Sequence, residues 1–308
     1  MRRLLWAASI AALLLLPLVA TAVQQPYYID FVRRVMILAI AAVSLNLILG
    51  YGGLVSFGHA AYLGIGGYAV GILAVYGVTS GWAQWPVAIG ASALVAAAIG
   101  AVSIRTSGIY FIMITLAFTQ MLYYLGISLE TFGGDDGMRL KTRSEFSGLL
   151  DLSSPLQFYY VSLALMLGAV FLVHRLAHSR FGFALRAARS NEARSRAMGF
   201  SPYPTRLAAF VVAGAMGGLA GALYANHTNY LAPSFMSWGQ SADLMFMVIL
   251  GGMGTTAGPV LGAFALLFAE DLLKGWTEHW QVILGPLLVL SVLFFRRGLA
   301  GILFRSHE

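Results

Sequence analysis

Long apolar runs, rather than alternating apolar and polar positions, dominate the chain. Ten such runs occur, at 4–23, 31–50, 60–78, 86–104, 109–129, 156–174, 207–226, 244–250, 259–273 and 282–295. Several reach the roughly 20 residues with which an α-helix crosses a bilayer. Because the runs are continuous, they favour helices over a β-barrel. The pattern predicts an all-α polytopic membrane protein with about ten transmembrane or half-membrane helices, forming a single domain over residues 1–308.

The first run also has features of a signal peptide. Arg2 and Arg3 precede it, and Ala20-Thr21-Ala22 has the A-x-A form of a cleavage site. However, the run is long enough to span a membrane, and a second apolar run follows directly. We therefore favour an uncleaved first helix over a cleaved leader.

The composition agrees with a membrane protein. Hydrophobic residues make up 59% of the chain and charged residues 10%, whereas a soluble domain has about 25% charged residues. The 35 glycines fit helices that pack closely through small residues. No cysteine is present, which excludes disulfides, thiolate catalysis and cysteine metal sites.

The basic residues predict an orientation. If the N-terminus is inside and the runs alternate, thirteen of the 19 Lys and Arg residues fall inside. Since inner loops are enriched in Lys and Arg, this distribution predicts that both termini are inside, and it explains the net charge of +7 without a nucleic-acid partner. Arg33 and Arg34 fit this scheme badly, unless the second helix is tilted or displaced.

Two polar loops interrupt the apolar runs. The outer, periplasmic loop 130–155 contains a glycine and aspartate turn at 133–137, which lacks the alternating acids of a calcium loop. The inner loop 175–206 carries seven arginines. Burying these in lipid would cost on the order of 20 kcal/mol, so this loop is predicted to lie in the cytoplasm.

The inner loop has the features of two short helices. Residues 181–189 form the first; Ser190 and Asn191 are good caps for a second helix over 192–198, and Gly199 is a good stop. Glu192 and Arg196 are spaced for an i,i+4 pair. The residues alone leave open whether this segment binds a partner or is a solvated basic loop that touches lipid headgroups.

Glycine clusters break two apolar stretches, 46–71 and 249–262. Broken helices inside a membrane are tolerated where protein or a water-filled path covers the backbone, and they mark translocation paths in transporters. The alternative is close helix packing. Within these stretches the candidate path or gating residues are Asn46, Gly52, Gly53, Ser56, Gly58, His59, Gly251, Gly252 and Gly254.

Several polar residues inside the apolar runs have structural interpretations. We expect His59 to bond a backbone carbonyl near the turn rather than a metal, because no second ligand lies at a suitable spacing. Asn46, Ser56, Gln120 and Asn226 are expected to form hydrogen bonds between helices.

Catalytic and nucleotide-binding motifs are missing from the sequence. No P-loop, G-x-S-x-G or H-E-x-x-H pattern occurs. Acids are also scarce inside the apolar runs, although a proton-coupled carrier normally needs them there. The chain is thus predicted to be no enzyme, to bind no metal or other cofactor itself, and to receive energy from a partner ATPase.

Five motifs in order resemble one family. Arg186-Ala187-Ala188-Arg189 and Asn191-Glu192-Ala193, followed by Gly199, resemble the coupling loop of ABC importer permeases for branched-chain amino acids; Arg194 departs from the usual alanine. The segments 46–61, 131–138, 217–225 and 250–255 resemble further motifs of that family, in particular of its LivM-type subunits.

The resemblance implies a type II ABC importer permease fold in the bacterial inner membrane. It further implies a LivH-like second permease subunit, two ABC ATPase subunits that use ATP and magnesium, and a periplasmic or lipid-anchored binding protein. The coupling residues would be Phe181, Phe183, Arg186, Arg189, Asn191, Glu192, Ala193 and Gly199. Among them, Arg189 and Glu192 would contact the motor, with the phenylalanines as anchors.

Two alternatives to this function stay open. A permease for urea or short amides shares these motifs. A stand-alone channel or secondary carrier is the alternative from another class of protein.

Overall fold

The computed structural model describes residues 11–18, 20, 25–146, 150–294 and 298–303, and these are almost entirely helical. We number the helices from Pro26 onward. They are α1 (Pro26–Asn46), α2 (His59–Val75), α3 (Gly81–Ser103), α4 (Ile109–Ser128), α5 (Pro155–Ala177), α6 (Arg180–Ser190), α7 (Glu192–Ala197), α8 (Pro202–Thr228), α9 (Trp238–Gly251), α10 (Gly258–Lys274), α11 (Trp280–Phe294) and α12 (Gly298–Leu303).

Shorter elements join these helices. A π-helical turn, Leu47–Tyr51, extends α1, and 3-10 turns cover Glu130–Phe132, Gly134–Asp136 and Pro233–Met236. The strands β1 (Met138–Arg139) and β2 (Tyr230–Leu231) pair antiparallel, with Met138 opposite Leu231. Of the predicted first run, 4–23, only residues 11–18 and 20 are described, and they are helical. The predicted uncleaved first helix therefore lies partly outside the described residues.

Five described helices are long and apolar enough to cross a membrane. They are Pro26–Tyr51, Gly81–Ser103, Ile109–Ser128, Pro155–Ala177 and Pro202–Thr228. The other apolar runs form shorter helices, of which α9 has 14 residues and α10 has 17. The predicted all-α polytopic fold is therefore confirmed, with both full-length and half-length helices.

Helix α1 is the centre of the molecule. An apolar stretch of 18 residues within Pro26–Tyr51 is 94% buried. Helices α5, α8, α9 and α10 all pack against α1. A helix that is apolar on every side is stable where protein or lipid surrounds it, and α1 is surrounded by protein. By contrast, only 22% of the corresponding stretch of α4 is buried, so α4 lies at the periphery.

Glycines allow α2 and α8 to cross closely. A Cβ atom on Gly66 would lie 2.0 Å from the carbonyl oxygen of Gly218, and one on Gly221 would lie 1.9 Å from that of Leu63. Helices in membranes associate through such small residues because their backbones can then approach each other. The glycines of 217–225 thus serve helix packing.

Arg33 and Arg34 are neutralised by protein contacts at the N-terminal end of α1. Arg33 is 4% exposed; it pairs with Asp30 and donates from Nε to Nδ1 of His227 at 2.9 Å. Arg34 lies 3.5 Å from Glu270. Because these partners compensate the charges locally, the two arginines need no tilt or displacement of the helix.

The loop 130–155 is fastened to the C-terminal end of α8. Besides the β1–β2 pair, the Asn226 side chain accepts a hydrogen bond from the Ser144 amide at 2.8 Å and donates to the Ser144 hydroxyl at 3.0 Å. Asn226 therefore holds this loop as well as bonding Ala222 of its own helix. We call this end of the molecule the loop end, and the end that carries α6 and α7 the basic end.

Candidate functional site

Local signals set the start of α6. The Ser179 hydroxyl accepts a hydrogen bond from the Gly182 amide, an N-cap contact that satisfies one of the first free N–H groups of the helix. A Cβ on Gly182 would lie 2.2 Å from the Ala177 carbonyl oxygen, so glycine lets α6 fold tightly against the end of α5. Leu185 and Ala188 are buried and form the face of α6 that packs against the rest of the chain.

Helix α7 begins at Glu192, as predicted, and ends at Ala197, one residue before the predicted end. The Asn191 side chain accepts a hydrogen bond from the Arg194 amide at 2.9 Å and caps the helix. After α7, Gly199 has φ +82°, a left-handed conformation that glycine adopts at little cost and that ends helices. Asn191 therefore sets the sharp bend between α6 and α7, and Gly199 ends the chain segment that follows α7.

An ion-pair cluster ties the bend to α8. The Glu192 carboxylate lies 2.5 Å from Arg196 and 2.8 Å from Arg206. Arg206 also donates to the Ala188 carbonyl at 3.0 Å, so it joins α6, α7 and α8. Sequence reasoning missed Arg206, because no local spacing connects it with a glutamate fourteen residues earlier. Its position in the first turn after Pro202 was the one available signal.

Electrostatics favour the ionised form of Glu192. Partial burial raises the pKa of its carboxyl, but the hydrogen bonds and positive charges of Arg206 and Arg196 outweigh this effect, so the pKa lies below its ordinary value. The Glu192 carboxyl is therefore ionised at neutral pH.

The remaining predicted coupling residues divide between two faces. Phe181 packs against the apolar core, and Arg186 donates to the Ala177 carbonyl at 2.6 Å. On the other face, Phe183 is 52% exposed and its ring contacts Phe200, while Ala193 is also exposed. Arg186 is also exposed although its guanidinium binds the end of α5, so Arg186, Phe183 and Ala193 are all accessible to another protein.

Arg189 extends from the last turn of α6 toward the end of α1. Its guanidinium donates to the Gly50 carbonyl in the π-helical turn. Gly53 follows that turn with φ +70°, and a Cβ there would lie 2.7 Å from Cγ of Arg189. The structure thus joins a predicted coupling residue to a predicted path residue.

Asn46 joins the two glycine breaks. It is fully buried; its Oδ1 accepts from the Gly254 amide at 2.9 Å and its Nδ2 donates to the Thr255 carbonyl at 2.8 Å. A Cβ on Gly50 would lie 2.4 Å from the Gly254 amide nitrogen, so glycine lets the two loops meet backbone to backbone. The breaks at 52–58 and 252–257 are therefore neighbours at the basic end.

Side chains satisfy the non-helical backbone between α1 and α2. The Gly58 amide donates to the Ser56 hydroxyl at 3.1 Å, the Thr119 hydroxyl donates to the Phe57 carbonyl at 3.1 Å, and the Ala60 amide donates to Ser241 at 3.0 Å. Irregular backbone within a membrane protein needs such partners because lipid supplies none.

His59 is buried at the start of α2. Its Nε2 lies 2.6 Å from the Ser44 hydroxyl, which itself donates to the Ala41 carbonyl at 2.7 Å. The histidine thus contacts α1 at Ser44 and beside the Ala41 carbonyl, whereas the predicted partner was a carbonyl near the turn. Helix α1 and its π-helical turn end at Tyr51, about two turns after Ser44. Because His59 contacts Ser44, the segment 52–58 folds back along that helix.

The second glycine break is a tight turn between α9 and α10. The Thr255 hydroxyl donates to the Gly252 carbonyl at 2.7 Å and accepts from the Gly258 amide at 3.1 Å. A Cβ on Gly251 would lie 1.8 Å from the Gly258 carbonyl oxygen. Gly251 is thus required for packing of the hairpin, Gly252 has φ +115°, a conformation that favours glycine, and Gly254 donates to Asn46.

The described part of the chain contains no group of three or more His, Cys, Asp and Glu placed to hold a metal ion. Hydrogen bonds join α6 to the end of α1 at Gly50, and the same end of α1 to the α9–α10 turn at Asn46. A buried central helix, two re-entrant breaks and a polar helix pair at one end define a multi-pass membrane protein of the transporter class.

Comparison with known proteins identifies the family. Residues 27–292 match the family described as "Branched-chain amino acid transport system / permease component". The chain belongs to this permease family.

Curated relatives of both permease types are similar to the chain. The permease protein LivM of Escherichia coli K12 is 29% identical over 93% of this chain and 74% of its own length. The permease protein LivH of the same organism is 22% identical over 85% of this chain and 91% of its own length. A probable LivM of Methanocaldococcus jannaschii is 32% identical over 36% of this chain and 32% of its own length. No solved structure matches the chain.

Proposed function

We propose that the protein is a LivM-like permease subunit of an ATP-driven importer of branched-chain amino acids in the bacterial inner membrane. The printed names of the LivM and LivH relatives describe branched-chain amino acid transport, which supports this substrate class. Similarity to both permease types supports a LivH-like second subunit. ATP and magnesium would be used by two ATPase subunits, and a binding protein would deliver the substrate at the loop end.

The observation that carries the proposal is the helix pair α6–α7 at the basic end. Its inner face is fixed to the rest of the chain by hydrogen bonds and ion pairs, so it moves together with the permease. Its outer face carries Phe183 and Met198, which are 52% and 61% exposed. Exposed apolar side chains among arginines suit a protein partner, and the proposed partner is a groove on the ATPase.

A docking test should change exposed side chains, since Glu192 and Arg206 hold the segment together. Phe183→Glu and Ala193→Glu should each abolish copurification of the ATPase subunits and leucine uptake, while the permease pair stays assembled. Lys141→Glu, an exposed change at the loop end, should retain the ATPase. Full ATPase copurification and uptake in both α6–α7 variants would overturn the docking assignment.

The substrate is tested in the same reconstituted complex. With the cognate binding protein present, radiolabelled leucine should accumulate in an ATP-dependent manner and urea should not. ATP-dependent accumulation of urea alone would contradict the substrate and leave the transporter class in place.

A further inference from the structure

The Arg189 side chain donates a hydrogen bond to a distant part of the permease. It lies at the C-terminal end of α6 and reaches a carbonyl 139 residues earlier in the chain, that of Gly50. The stem of its side chain lies against Gly53, where any larger residue would collide with it. Arg189 is exposed as a residue, but its stem and guanidinium lie in a slot at the end of α1.

The Gly50 carbonyl is a suitable acceptor for a cation. It lies in the last turn of the helix Pro26–Tyr51, where carbonyl groups lack partners within the helix. Positive charge at a helix C-terminus is also favoured by the helix dipole. A charge-assisted hydrogen bond at this place is stronger than one between neutral groups.

One helical turn before Gly50, Asn46 continues the connection. Its amide contacts both Gly254 and Thr255, with one donated and one accepted bond. The amide group is fully buried, so loss of either bond would leave a buried polar group without a partner. The turn between α9 and α10 is thereby held to the same end of α1 that Arg189 holds.

We propose that Arg189 is a positioning residue for transport: it links the coupling helix α6, through the Gly50 carbonyl and the Asn46 side chain, to the α9–α10 turn. This inference rests on the proposed function, because it assigns the path by which a movement imposed on α6 by an ATPase reaches the inner end of the permease. In this arrangement the Asn46 amide moves the α9–α10 turn with α1, and Arg189 moves α1 with α6.

The native absence of cysteine allows a direct readout of this movement. Met253 lies in the α9–α10 turn and is 49% exposed, so Met253→Cys gives a single thiol for maleimide labelling. In the complete complex with its ATPases and binding protein, the labelling rate of this thiol should change when ATP is added. The proposal requires that this change depend on Arg189.

Two variants break the link in different ways. Arg189→Gln removes the cation, whereas Gly53→Ala keeps the arginine and its charge but fills the slot in which its stem lies. Each should reduce uptake per ATP hydrolysed about tenfold, the effect of losing one charge-assisted bond, and should abolish the ATP-dependent change in labelling. Arg189→Lys, which retains a cationic donor, should restore part of both. Arg175→Gln, an exposed arginine at the end of α5, is the matched control and should behave as wild type.

The outcomes separate this inference from the proposed function. If Arg189→Gln releases the ATPase subunits while Gly53→Ala behaves as wild type, Arg189 is a contact to the motor and the inference is wrong. Unchanged uptake and labelling in both variants would also overturn it. If the wild-type complex shows no ATP-dependent uptake, the proposed function itself fails, and with it the inference.

Discussion

Replacing Glu192 by glutamine tests how the helix pair α6–α7 is held in shape. The carboxylate contacts Arg196 at 2.5 Å and Arg206 at 2.8 Å. The Glu192 side chain is 39% exposed, so solvent screens both pairs, and each contributes about 0.2–1 kcal/mol. We therefore expect Glu192→Gln to cost about 1 kcal/mol in local stability, which corresponds to a roughly fivefold larger open population of α7.

Hydrogen exchange measures this population directly. In purified protein, the amides of Ser195 and Met198, which bond the carbonyls of Asn191 and Arg194, should exchange about fivefold faster in Glu192→Gln. Arg194→Gln, which removes a charge outside the cluster, should leave them unchanged. Equal exchange in wild type and Glu192→Gln, or an equal increase in both variants, would refute the account of the ion-pair cluster.

The same measurement has a predicted pH dependence. Because the pKa of Glu192 is lowered from its ordinary value of 4.5, its stabilising contribution is fully present above pH 4.5 and is lost as the pH falls through the lower, folded-state pKa. The protection of the α7 amides against exchange should thus be constant from neutral pH down to pH 4.5 and decline at lower pH. Glu192→Gln should show no such decline.

Two further substitutions test the packing of the fold. Gly221→Leu should lower the melting temperature by several degrees, because overpacking against the Leu63 carbonyl costs about 1–3 kcal/mol. Gly168→Leu, at a position where a Cβ meets nothing within 4 Å, should leave the melting temperature unchanged. Equal melting temperatures of the two variants would contradict the close crossing of α2 and α8. Asn226→Leu should make the loop 130–155 more sensitive to limited proteolysis, because the buried Ser144 amide loses its partner at a cost of about 1–3 kcal/mol. A cleavage rate equal to that of the wild type would show that Asn226 does not hold this loop.

Local signals predicted much of the fold. The apolar runs correspond to helices, since lipid and protein interiors both demand continuous apolar surface. The boundaries around Asn191 and Gly199 were also predictable, because a cap and a left-handed glycine act on their immediate neighbours. The two short helices of the basic loop and the bend between them were therefore predicted from the sequence.

Contacts between distant segments were not predictable from one sequence. The pair of Asn46 and Gly254 joins residues 208 positions apart, and the side chain of Asn46 carries no mark of that partner. The hydrogen bond from Arg189 to the Gly50 carbonyl joins residues 139 positions apart and likewise has no local signal. Arg34 was a misfit in the charge distribution because its acidic partner, Glu270, lies on another helix, α10.

Single-cysteine cross-linking at Ala193 tests most directly whether α6–α7 couples this permease to an ATPase. The chain has no cysteine of its own, and Ala193 is exposed on α7, so Ala193→Cys places one thiol on the proposed docking face. In the reconstituted complex a short bifunctional cross-linker should join this thiol to the ATPase subunit, and the cross-link should block ATP-dependent leucine uptake. Cross-linking from Lys141→Cys at the loop end should yield no ATPase adduct. An ATPase that copurifies and supports uptake, yet forms no adduct with position 193, would contradict the account.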